Sequence, residues 1–310
     1  MAQLYNKRFL SVIDLLNIVF VFILFIFYFF SLSRNPYGAW PVAVLGFSLS
    51  LVWLAVYLRK NKKDGFPRTF WEKLSKIYLD FYPLIFMFVV FESFFMILPY
   101  FNPRDYDKVM ASIDFRMFGV YPTVWIERWI RPWLTDLLYL LYFFYYPLPL
   151  FILVYLYRKR MAYALDRSVF ILLVVNYGAY ITYFFVPTMG PRFYEPIMHL
   201  QTKALNGIFL AGPIRDIIRV FEPNKFDAFP SLHVATSLTT ILIMFQYNKK
   251  MFAIFIPIVA GIWLAVVYCR FHYVIDMIVG AAWVIIAFAI SGWVYDRWIK
   301  GEWAPYFKQK

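Results

Sequence analysis

Two of the three histidines in this chain have neighbours that could put them to chemical use. In Arg270-Phe271-His272-Tyr273-Val274-Ile275-Asp276, His272 and Asp276 stand at i and i+4, which places both side chains on one face of a helix. An aspartate so placed accepts a hydrogen bond from one ring nitrogen and leaves the other free and basic. His233 lies in Phe229-Pro230-Ser231-Leu232-His233, just inside an expected helix start, where Pro suits the first helical position and Ser231 satisfies free amides. Arg192 follows Gly190-Pro191, and Arg270 precedes His272 by two residues. A guanidinium offers a planar fork of donors to phosphate oxygens. Helix N-termini near 230 and 271 add amides and positive dipole ends. The sum is a phosphate pocket with two proton carriers.

Each member alone has a plainer explanation. A histidine near a helix end is commonly an interfacial polar residue, an i,i+4 pair stabilises a helix, and arginines anchor spans at the interface. What carries the functional reading is that Arg192, His233, Arg270 and His272 map to one membrane face. His199 has no partner at useful spacing and reads as solvated loop.

The elements that position these residues are membrane spans. The chain is 63% hydrophobic and 16% charged, against about 25% charge in ordinary soluble chains. Aromatics make up 23%, which suits lipid-facing helices with interfacial belts. Apolar runs near the length of a span, about 20 residues, occur at 9–32, 39–58, 77–98, 133–157, 168–187, 229–247, 252–269 and 273–294. The expected fold is all-α: a polytopic membrane helical bundle of about eight spans. The first run exceeds a signal-peptide core of roughly 7–15 residues, and Ser31-Leu32-Ser33-Arg34 is a poor cleavage site, so it reads as a retained span. The organisation expected is 1–98 as N-terminal spans, 99–132 as interfacial helices and 133–310 as a catalytic membrane core.

The net charge of +13 falls between apolar spans rather than on one polar face, so nucleic acid is not an expected partner. Lys and Arg are densest at Arg59, Lys60, Lys62, Lys63 and at Arg158, Lys159, Arg160, beside span ends in alternate loops. With both termini inside, the positive-inside bias is met and the histidine site falls on the extracytoplasmic face. Two segments on that face are too long for turns. Residues 99–132 mix apolar and charged positions as one or two interfacial amphipathic helices would. Residues 188–228 read as an ordered, irregular loop of the kind that is usually functional. Asp80 and Glu92 fall inside one span, where carboxylates are costly, with bundle packing and substrate access both open as reasons. Asp14, near a span end, reads as solvated. The single cysteine, Cys269, leaves no intrachain disulfide.

Pro230-Ser231-Leu232-His233 followed by His272 and Asp276 resembles the type 2 phosphatidic acid phosphatase superfamily, whose members carry Pro-Ser-Gly-His and then Ser-Arg, five residues, His, three residues, Asp. Arg192 matches the arginine of the family's first motif, but the motif lysine would be position 185, which is Phe, and position 193 is Phe instead of Pro. The arginine of the third motif would be position 266, which is Val, and Leu232 replaces Gly. These departures, with Asp114-Phe115-Arg116-Met117-Phe118-Gly119-Val120-Tyr121-Pro122-Thr123, resemble the branch of inositol phosphorylceramide synthases and their bacterial relatives.

The resemblance implies a mechanism. His272 would attack phosphorus to form a phosphohistidine, oriented by Asp276, and His233 would act as general acid and then general base. Arg192, Arg270 and Ser231 would bind the phosphate oxygens. No cofactor or metal is implied, because the arginines supply the positive charge. The partners would be a membrane phospholipid donor and a lipid alcohol or water as acceptor. A transferase is therefore expected, with a lipid phosphatase acting on a phosphatidate-type or prenyl-pyrophosphate substrate as the alternative. A non-catalytic lipid-binding transporter or scaffold is a third reading. A metal site at His233 and His272 is a fourth, weakened by the lack of a third ligand at recognisable spacing.

Overall fold

The computed structural model describes residues 10–61, 69–221 and 226–300. The larger helices are α1 (Val12–Ser31), α2 (Trp40–Lys60), α3 (Phe70–Glu92), α4 (Phe94–Phe101), α5 (Asp107–Phe118), α6 (Pro132–Phe144), α7 (Leu148–Arg158), α8 (Ala162–Phe185), α9 (Ala211–Phe221), α10 (Leu232–Tyr247), α11 (Lys249–Tyr268) and α12 (Val274–Lys300). Among the described residues the sole β feature is an isolated parallel bridge between Thr188 and Asp227.

Six of these helices, α1 with its short extension to Arg34, α2, α3, α8, α11 and α12, are long and apolar enough to cross a membrane. The pair α6 and α7, bent by 46° at a short break, makes a seventh if counted as one span. The chain is thus an integral membrane protein. α10, expected as a span over 229–247, has 16 residues. At 1.5 Å per residue it reaches about 24 Å, short of a hydrocarbon core of about 30 Å.

Two compact units share the chain. One comprises Met1–Phe101, Met161–Val174 and Phe288–Lys310, the other Asn102–Arg160 and Val175–Ala287. In the first unit α1 packs on α2, α3 and α4, and α2 on α3. Ser11 and Asp14 form a capping box at the start of α1, each side chain bonded to the other's amide. Asp14 was expected to be solvated, and the structure corrects this. Its side chain is fully buried and bonded to Arg59 Nη1 at 2.5 Å and to the Tyr82 hydroxyl. Because α1 begins at Val12, Asp14 falls in its first turn, where α2 and α3 bring those partners to it.

The third span is also displaced from its expected 77–98. A Thr69–Glu72 capping box starts α3 at Phe70, and the chain turns at Ser93. Asp80 therefore lies mid-helix, paired with Lys76 one turn earlier, while Glu92 ends the helix in an exposed position. Pairing and a terminal position both reduce the cost of a carboxylate in a span.

In the second unit α11 packs on both α10 and α6, α10 also packs on α7, and α9 lies on α6. α10 is buried along most of its length. Its hydroxyls are satisfied within the bundle: Thr236 bonds Asn176 Oδ1 at 3.0 Å, and Ser237 accepts from Trp263 Nε1 at 2.9 Å.

Candidate active site

The expected site residues lie in the second unit, on three chain segments. The first is the loop after α8. Gly190 takes φ +89°, and a Cβ there would lie 2.2 Å from the Phe271 carbonyl oxygen, so only glycine lets the two backbones pass. That approach allows Arg192 N to bond Arg270 O at 3.0 Å. The second segment leads into α10, with the Thr188–Asp227 bridge and an Ala228 N to Thr188 O bond of 2.9 Å tying it to the first. The third is the turn between α11 and α12, which carries Arg270 and His272.

The helix starts differ from expectation. α10 begins at Leu232 with Ser231 as its N-cap, accepting from Val234 N at 3.4 Å, so Pro230 precedes the helix and is not its first residue. α12 begins at Val274, so His272 lies in the turn before the helix and the shared helix face does not form. Asp276 is instead the third helical residue. Its Oδ2 reaches back to Tyr273 N at 2.9 Å, the carboxylate half of a capping box. The same oxygen lies 3.6 Å from His272 Nδ1, an ion-pair separation, while the hydrogen bond of Nδ1 goes to Ala228 O at 2.8 Å. Asp276 Oδ1 is buried and has no hydrogen-bond partner among the described residues.

The two histidines are brought together. His272 Nε2 lies 3.4 Å from His233 Nδ1, and both side chains are almost wholly buried. The His233 ring lies between Tyr142, stacked at 4.0 Å, and Tyr145 at 4.1 Å. Tyr142 stacks in turn on Phe271 at 4.0 Å, and the Arg192 guanidinium covers Phe271 at 4.0 Å. A column of flat groups thus runs from His233 through Tyr142 and Phe271 to Arg192. Arg192 is half-buried and close enough for its charge to act on His233.

Arg270 joins the assembly less directly. Its Nη2 donates to Glu127 Oε1 and to Lys203 O, each at 2.5 Å, and its backbone takes φ +65°. Burial works against its charge and Glu127 offsets that. His199 is exposed, as the sequence suggests.

Sequence reasoning missed the carboxylates that fasten these segments. Asp107 accepts from Met189 N at 2.7 Å, Gly190 N at 2.8 Å and the Tyr273 hydroxyl at 2.8 Å. Asp114, two turns along the same face of α5, caps α12 through Val274 N and Ile275 N at 2.8 and 2.9 Å. Asp136 takes up the four amides of Ile208, Phe209, Leu210 and Ala211 at the start of α9. The i,i+7 spacing of Asp107 and Asp114 in an otherwise amphipathic segment was the available signal. Burial pushes the Asp114 carboxyl up against its two amides, and it pushes the Tyr273 phenol up as well, with Asp107 adding to it. No group of three or more His, Cys, Asp or Glu among the described residues is arranged to hold a metal ion.

The profile of the PAP2 superfamily matches residues 108–290, more than half of the chain, and the chain belongs to that superfamily. It is 28% identical over 165 residues to a phosphoinositol dihydroceramide synthase of Bacteroides thetaiotaomicron. That match covers 50% of this chain and 52% of the relative, so the chain spans about half the length of the curated relative it matches. No solved structure matches the chain.

Proposed function

We propose that the protein is a lipid phosphotransferase that moves a phospho-headgroup between lipids through a phosphohistidine on His272. The observation that carries this reading is the set of partners around the His272 ring. A carbonyl only accepts, so the Ala228 O bond at 2.8 Å keeps the proton of the neutral ring on Nδ1 and leaves the lone pair on Nε2. Asp276, at 3.6 Å from Nδ1, supports the positive charge that develops as Nε2 attacks.

In the first half-reaction the Nε2 lone pair attacks the donor's phosphorus. The bond from phosphorus to the leaving lipid oxygen breaks, and His233 delivers a proton to that oxygen. In the second half, the acceptor hydroxyl gives its proton to His233, its oxygen attacks phosphorus, and the P–N bond breaks. Arg192 and Arg270 hold the non-bridging oxygens, with the Ser231 hydroxyl donating its own proton. A separation of 3.4 Å leaves no room for a phosphorus between the two rings, so donor binding has to part them.

The donor is a membrane phospholipid and the acceptor a lipid alcohol of the ceramide type. Support comes from the name of the Bacteroides relative and from the aromatic enclosure of His233, which keeps water from the phosphoenzyme. The charge distribution along the sequence supports both termini being cytoplasmic and the site extracytoplasmic. The test supplies purified protein with a headgroup-labelled phospholipid, with and without ceramide or diacylglycerol. New labelled phospholipid that depends on the acceptor is the expected result. Release of free or headgroup phosphate at one rate whatever the acceptor makes the enzyme a lipid phosphatase.

A further inference from the structure

Arg215 lies outside every motif, on α9, yet it is held toward the same turn as Arg270. Its guanidinium covers the Tyr139 ring at 5.3 Å, and Nη2 donates to Leu205 O at 2.7 Å. Tyr139 meets Phe271 edge-on at 6.4 Å, and Phe271 is the ring that Arg192 covers. α9 itself is fixed: Asp136 binds the Ala211 amide and the three amides before it, and Ile214 and Ile218 pack into the core formed by α6 and the end of α11. Arg270 Nη2 donates to Lys203 O at 2.5 Å and Arg215 Nη2 to Leu205 O at 2.7 Å, so the two guanidiniums are held by carbonyls two residues apart on one segment.

The charges there do not balance. Arg270 is paired with Glu127, whose carboxylate also serves Thr202 and Lys203 N, whereas the hydrogen-bond acceptor for Arg215 is a neutral carbonyl. The Nε atoms of both Arg215 and Arg270 are buried and have no hydrogen-bond partner among the described residues. Half-buried guanidinium charge in excess of its carboxylate partner, with buried N–H groups unsatisfied, is an environment that an anion completes.

We propose that Arg215 completes with Arg270 an anion seat that binds the non-bridging oxygens of a phosphate ester. This rests on the phosphotransferase reading above for its place in the reaction, but its binding is measured without turnover. The experiment is calorimetric titration of the purified His272→Ala protein with inorganic phosphate and, separately, with dihexanoyl phosphatidate.

Adding Arg215→Gln weakens binding by about tenfold or more, as loss of a hydrogen bond to a charged group does. Arg215→Lys, which keeps the charge without the fork, falls between. Arg219→Gln, on the exposed face of the same helix and paired with Asp216, leaves binding unchanged. Equal weakening for both ligands assigns the seat to the phosphate group as such; weakening for phosphatidate alone assigns it to a lipid headgroup. Unchanged binding of both ligands in Arg215→Gln and Arg215→Lys, or no binding of either by the parent protein, overturns the seat. Full turnover by a chain carrying only His272→Ala would instead overturn the phosphohistidine and leave the seat standing.

Discussion

His272 Nε2 faces His233 Nδ1 at 3.4 Å, while the other nitrogen of His272 is engaged by the Ala228 carbonyl at 2.8 Å. In the proposed mechanism this relationship gives the pair unequal roles, because the ring with its proton fixed on Nδ1 is the one offered as nucleophile. His272→Ala is therefore expected to abolish turnover while the protein stays folded in detergent. Asp276→Asn is expected to lower kcat by well short of the roughly 10⁴-fold seen where an aspartate alone sets the tautomer. Here the Ala228 carbonyl still sets it. Phospholipid turnover by each purified variant checks both, and a fully active His272→Ala would end the assignment.

Gly190→Ala is expected to cut kcat/KM severely. The added methyl would meet the Phe271 carbonyl oxygen at 2.2 Å, at a φ of +89° that L-residues rarely adopt. The loop must move, which breaks the Arg192 N to Arg270 O bond and shifts the guanidinium off Phe271. Steady-state kinetics beside a thermal melt separates this from unfolding, and unchanged kcat/KM would refute the close approach.

Asp107 should make stability pH-dependent. Burial, with Asp105 beside it, pushes its carboxyl up to about 7, against the pull of Met189 N and the Tyr273 hydroxyl. Gly190 N also donates to it, and Tyr194 lies within electrostatic reach as well. Between the ordinary carboxylate range and about pH 7 the folded state keeps a proton that the unfolded chain has released. Stability thus falls as pH rises through that window. Thermal melts across it should show a slope that Asp107→Asn removes; the same slope in both proteins would exclude Asp107 as its source.

The charge pattern carries an expectation of sidedness. Lys203→Cys, placed in a Cys269→Ser background, is expected to react with an impermeant thiol reagent applied to intact cells. Position 203 is exposed and Cys269 is buried. Reaction only after the membrane is broken would invert the topology.

Much of the architecture was legible in the sequence because a membrane span is a local property. Some 20 consecutive apolar residues identify themselves without knowledge of any partner. The candidate residues Ser231, His233, His272 and Asp276 were likewise singled out by residue type and spacing along the chain. Boundaries were less legible. The Thr69–Glu72 capping box moved the third span, the start at Leu232 left Pro230 outside its helix, and the start at Val274 moved His272 off the helix face it was expected to share with Asp276.

What tertiary structure alone decided is which distant groups meet. Asp107 and Asp114 look like ordinary surface carboxylates in an amphipathic segment until α5 is laid against the Gly190 loop and the start of α12. Asp14 looked solvated until Arg59 and Tyr82 closed on it from two other helices. Arg270 read as a phosphate ligand of its own, yet Glu127, far back in the chain, takes one of its nitrogens. Arg215 carried no signal at all. The physical reason is common to these cases. A buried charge is tolerable only with a partner, and the partner is selected by packing in space, which sequence spacing does not encode.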